Sequence, residues 1–169
     1  MMAPDEGGCG RRSTPKRCGA APGVRPQAPR QVVREDVDAY TAGAPAWGIM
    51  TAVILPSAHT AMLHLLRAHV AQTVAASCIV RQGDRAGWHT AQALKIPAPM
   101  RRIPQPSYRP ALKPVAHRWD EVREQWFHNR VFQALSQVVD TRAAGLRSLA
   151  AHPARVRSMT NFPHFRVRP

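Results

Sequence analysis

The chain has 169 residues, enough for one domain with a core, and carries 24 Lys and Arg against 10 Asp and Glu, a net charge of +14. With 44% hydrophobic residues, this balance excludes a wholly disordered basic tail and points to a polyanionic partner, nucleic acid ahead of an acidic membrane surface. Cys9, Cys18 and Cys78 form no C-x-x-C pair, which excludes a disulfide scaffold and a four-Cys zinc site and predicts a reduced, cytoplasmic protein.

Residues 1–30 are partly irregular: 10–30 are rich in Gly, Pro and Arg and read as loop. Gln31 to Ala42 holds Val32, Val33, Val37 and Tyr40 and reads as a strand with a polar centre. Trp47 to Leu55 is a stronger, β-branched strand closed by Pro56. Gly43 to Ala46 joins the two as a hairpin. Ser57 reads as the N-cap of a helix whose Met62, Leu65, Leu66, Val70 and Val74 share one face. Residues 39–66 carry no Asp, Glu, Lys or Arg, but Pro45, Pro56, His59 and His64 interrupt them, so they read as core and not as a membrane span. Ser77 to Gly83 and Met100 to Ile103 are two further strands. Val115 to Phe127 and Ser136 to Leu149 are helices, and 160–169 is a tail. The order is mixed α/β.

His59, His64 and His69 lie five residues apart, a turn of roughly 140° on a helix, so they do not share a face to ligate a metal. Trp119, Trp126 and Phe127 sit at helical spacing and read as core. The C-terminal Arg142, Arg147, Arg155, Arg157, Arg166 and Arg168 have two readings, a phosphate-contacting surface or a solvated face. Asp84, just past an apolar strand, has two readings on spacing alone: a metal ligand, for which this is a common place, or a turn former or helix cap.

Asp84-Arg85-Ala86-Gly87-Trp88-His89 resembles the D-x-A-G-W-H motif of transposases of bacterial insertion sequences, the mariner-like branch of the DDE superfamily. That family continues with P-Y-S-P-E-L-N-P-x-E-x-x-W, and here Tyr108, Pro110, Leu112, Pro114 and Trp119 fit. Trp126 to Phe132 and Pro153 to Ser158 resemble its closing segments. Asp5-Glu6-Gly7 before Gly10-Arg11 is similar to its D-E-x-x-F-G-R start, with Cys9 where Phe is usual.

The resemblance implies a single DDE endonuclease domain over 1–169 with the RNase H-like fold: a mixed five-stranded sheet flanked by helices, its first three strands antiparallel. It implies DNA transposition, with two Mg2+ or Mn2+ ions held by three carboxylates and strand cleavage and transfer as the chemistry. Asp5 and Asp84 match the first two carboxylates, as catalytic residues and metal ligands. Trp88 and His89 read as packing groups beside them. The third position holds Ala116, and Ala111 and Lys113 replace the family's Glu and Asn. Asp120 lies one turn further on, about 5.4 Å away, too far to substitute. With few residues before Asp5, the first strand is expected to be truncated, and the family's helix-turn-helix domain to be absent. Gly19 in place of a Trp and Asp38 in an apolar strand are further departures.

The expectation is a degenerate, catalytically inactive copy with impaired metal binding. The alternative is a non-enzymatic remnant that binds DNA through charge, self-associates or pairs with intact transposase. Neither reading involves a membrane or a small-molecule substrate, and DNA binding would place the protein at the nucleoid.

Overall fold

The structure, a computed structural model, describes residues 2–13, 15–56, 60–73, 79–83, 100–104 and 116–162. In chain order the elements are β1 (Ala3–Arg12), β2 (Val32–Ala44), β3 (Ile49–Leu55), α1 (Thr60–Thr73), β4 (Ile79–Gly83), β5 (Met100–Pro104), α2 (Ala116–Val122), α3 (Leu135–Ala150) and α4 (Pro153–Thr160). A π-helical turn, Arg123–Phe127, continues α2. β1, β2 and β3 form an antiparallel sheet in that order, and β4 pairs with β5 in parallel. β4 also lies against β1.

The first strand is longer than the few residues before Asp5 led one to expect. β1 runs for ten residues, with Asp5 third in line, because the chain continues past Asp5 through Gly7 to Arg12 against β2. Pro4 removes one ladder donor and leaves the pairing intact, Pro4 facing Ala42. The register shifts between Gly10 and Arg12, a bulge that bends the strand end.

Side chains alternate across a strand, and the register sorts them into two faces. Ala3, Asp5, Gly7 and Cys9 share a face with Gly43, Thr41, Ala39 and Val37 and with Met50, Ala52 and Ile54. This face carries the core: Ala39 and Met50 cluster with Trp119 and Val122 of α2, Leu146 and Leu149 of α3 and Val156 of α4, with Ala52, Ile54, Trp126, Phe127 and Met159 packed around them. On the opposite face, His69 of α1 meets Thr51, its Nε2 2.6 Å from Oγ1. The sheet thus has helices on both sides.

The hairpin between β2 and β3 turns over Pro45–Gly48, where Trp47 N–H donates to Ala44 O at 3.1 Å and Gly48 N–H to Pro45 O at 3.3 Å. Gly48 has φ +67, and a side chain there would overlap the Pro153 carbonyl at the start of α4. That helix, not expected from the sequence, begins with Pro in its first turn, where the missing N–H costs nothing. Among the described residues, no helix is long and apolar enough to cross a membrane.

Candidate active site

Asp5 is 5% exposed and sits opposite Thr41 on the helix-covered face of the sheet. One carboxylate oxygen, Oδ2, accepts the indole N–H of Trp119 at 3.0 Å. This bond ties β1 to α2, the helix that Ala116 opens. Trp119 can lie this close because of Gly7: a Cβ there would come within 2.8 Å of the indole.

Arg118, the residue before it, is 0% exposed, and its three guanidinium nitrogens have no hydrogen-bond partner. Its head group lies against Gly43, where a Cβ would overlap it. Burial pushes its pKa down to about 10, and the charge of Asp5 opposes that shift. Thr41 Oγ1, on the same sheet face as Asp5, is also buried without a partner. The two glycines therefore make room on the sheet for one flat aromatic and one flat cation, both beside a buried carboxylate.

Asp84 lies outside the described residues, directly after β4, and so do Trp88, His89, Lys113 and the departure at Ala111. Asp120 is exposed and pairs with Arg123 at 3.5 Å, away from the buried Asp5. Glu121 pairs with Arg155. Of the three histidines, His59 lies outside the described residues, His64 is half-buried and His69 is exposed. Trp119 is core, as the spacing indicated, and its hydrogen bond to Asp5 makes it part of the site as well.

A divalent ion does not fit the described part of this site. Ala116 offers no oxygen, one oxygen of Asp5 is engaged, and a buried guanidinium already supplies positive charge there. Among the described residues, no group of three His, Cys, Asp or Glu could hold a metal. Residue spacing could not have found Arg118. Gly43, expected in the turn, instead lies within β2, where a glycine allows such a close approach.

No protein-family model matches the chain. Over 76 residues, 45% of its length, it is 32% identical to an uncharacterized protein, y4pE/y4sA, of Sinorhizobium fredii, of which these residues make up 56%. The chain thus spans about half the length of the curated relative it matches. Its fold is similar to that of the Mos1 transposase. Against the Mos1 mariner paired end complex with Mn the TM-score is 0.61 at 15% identity, covering 95% of this chain and 56% of that one. Against the paired-end complex with left transposon end the values are 0.60, 14%, 95% and 55%. Against the paired end complex with Mg they are 0.58, 16%, 94% and 55%. At these identities the likeness is one of fold.

Proposed function

We propose that this chain is a diverged transposase catalytic domain that retains DNA as its partner and has lost strand cleavage and transfer. The observation that carries this reading is the placement of Asp5: buried on β1, bonded to Trp119, in a helix that opens on Ala116, within a fold matched to Mos1 over 95% of the chain. In this reading the five strands would form one RNase H-like sheet and Asp84, directly after β4, would stand beside Asp5; the contact of β4 with β1 supports it. Asp5 and Asp84 are then the two surviving carboxylates of a site for two Mg2+ or Mn2+ ions.

Two departures act against catalysis. Ala116 removes the third carboxylate, and loss of even about 4 kcal/mol of transition-state stabilisation is near a thousandfold in rate. Arg118 opposes a second positive charge at Asp5, because like charges in a poorly solvated site repel strongly. The net charge of +14 remains available to phosphates, so binding should be sequence-tolerant and fall steeply with salt.

The test is a metal-dependent nicking assay on supercoiled plasmid with the native chain, Ala116→Glu, and Ala116→Glu combined with Arg118→Met. The native chain should show no nicking with magnesium or manganese. The double variant should gain affinity for manganese over Ala116→Glu alone, read by calorimetry. Robust nicking by the native chain that Asp84→Asn abolishes would overturn the inactive reading.

A further inference from the structure

We infer that a second site lies beyond the end of the Asp5 strand: a basic cleft that takes a phosphate group carried by a nucleotide. Its floor is Gly8 to Arg12 of β1, and its volume is about 390 Å³, within the range of small-ligand pockets, roughly 300–1,000 Å³. Its walls are the segment around Lys16 on one side and residues 123–132 on the other.

Two side-chain amides hold those walls together. Asn129 Oδ1 accepts the backbone N–H of Lys16 at 3.0 Å, and its Nδ2 donates to the Lys16 carbonyl at 3.4 Å. Gln31 does the same for Phe132, donating from Nε2 to its carbonyl at 2.7 Å and accepting its N–H at 3.0 Å. The cleft is therefore fixed in shape before any ligand arrives.

Arg12, Lys16, Arg123, Arg130 and Arg142 line it, with Glu35 and Asp36 as its acids. Glu35 is occupied by Arg11 at 2.7 Å, while Lys16 pairs with Glu124 at 3.0 Å and Arg123 with Asp120 at 3.5 Å, all three at exposed or partly exposed positions. Arg142 is 3% exposed, yet its Nε has no hydrogen-bond partner, and neither has the buried Nε2 of His128. Burial lowers the pKa of Arg142, the neighbouring Cys9 opposes that shift, and the nearby charge of Arg123 adds to it. A cleft lined by several cations, with the Arg142 Nε donor unmet, suits the oxygens of a phosphate better than a neutral ligand. Phe127 and Phe132, their rings 5.4 Å apart, give the same cleft an apolar wall for the attached nucleoside.

The inference deepens the DNA-binding part of the proposed function and rests on that reading for the source of the phosphate. It needs no cleavage. Two readouts on the full chain separate the two ideas. The first is fluorescence anisotropy with a labelled DNA duplex. Arg123→Gln combined with Arg130→Gln should weaken binding about tenfold and lower the salt slope by about 2, while Arg155→Gln with Arg157→Gln, outside the cleft, should change it far less. Thermal melts verify that both pairs fold. The second readout is alkylation of Cys9, which lines the cleft, mapped by mass spectrometry with exposed Cys18 as the internal control. Pyrophosphate or a nucleoside monophosphate should slow modification of Cys9 and leave Cys18 unchanged. Protection of Cys9 by these small ligands with no DNA binding at all keeps the cleft as a phosphate site and overturns DNA as its source. Equal loss in both Arg pairs, or no protection of Cys9 by any of the probes, overturns the cleft.

Discussion

Arg118 and Arg142 both neighbour Trp119 and both are buried, but they meet different surroundings. Arg142 stacks over the indole, 4.4 Å from its centroid, and donates from Nη2 to the Gly7 carbonyl at 2.9 Å. Arg118 makes no hydrogen bond and has only the field of nearby Asp5 to offset its burial. One cation is held by the sheet and opens onto a cleft. The other is sealed beneath a helix. A buried charge can be structural or a cost to the fold, and the hydrogen bonds around it decide which.

The most severe way to break this comparison is Trp119→Ala, since Asp5, Gly7 and Arg142 all rest on that ring. It should destabilise the fold by about 3–5 kcal/mol, read by urea denaturation, and loss under about 1 kcal/mol would show that the indole is not the common support.

Asp5→Asn comes next. It strands Arg118 without its counter-charge and should cost about 3 kcal/mol. Adding Arg118→Met should recover a large part of that loss. If the two changes simply add, the field of Asp5 does not hold Arg118.

Gly7→Ala puts a methyl against a rigid indole at 2.8 Å and should cost about 1–3 kcal/mol. It sharpens the contrast because it disturbs the Arg142 side while leaving Arg118 in place, so the effect of Asp5→Asn should persist in its presence.

The smallest effect is on pH. Arg118 loses its proton at about 10 when folded, well below the usual guanidinium range, because burial disfavours its charge. While it is charged in both states, folding carries the cost of burying that charge. As pH rises through about 10 the folded chain releases the proton while the unfolded chain still holds it, so stability rises. The native chain should therefore gain on Arg118→Met between about pH 9 and pH 11 in urea midpoint. A constant difference would show that Arg118 titrates normally.

Much of this was legible in the chain. β-branching and Pro56 marked β3, apolar periodicity marked α1, and Pro45 marked the hairpin, although its turn lies two residues later than expected, at Pro45–Gly48, because β2 runs on to Ala44. Other features were not. β1 is glycine-rich and carries no apolar alternation, so its length depends on pairing with β2 and on the ring laid over Gly7, both long-range effects. α4 has an Arg-rich, weakly amphipathic sequence, and what gives it a place is the Pro153 contact with the hairpin. Position Ala116 could be read from the motif, whereas Arg118 could not, because nothing local requires an arginine two residues into a helix to turn under a sheet.

The contact of Gly48 with Pro153 has a consequence for the order in which the molecule is assembled. The hairpin tip leaves the ribosome long before residue 153 is made, a wait of several seconds at roughly 5–20 residues per second. During that interval the three strands can pair locally, but Ala39 and Met50 still lack Trp119, Leu146, Leu149 and Val156 over them. A nascent sheet with its apolar face bare is the stage at which chains associate with one another or recruit chaperones. The last helix is therefore the latch of the fold, and a side chain at Gly48 would obstruct its closing.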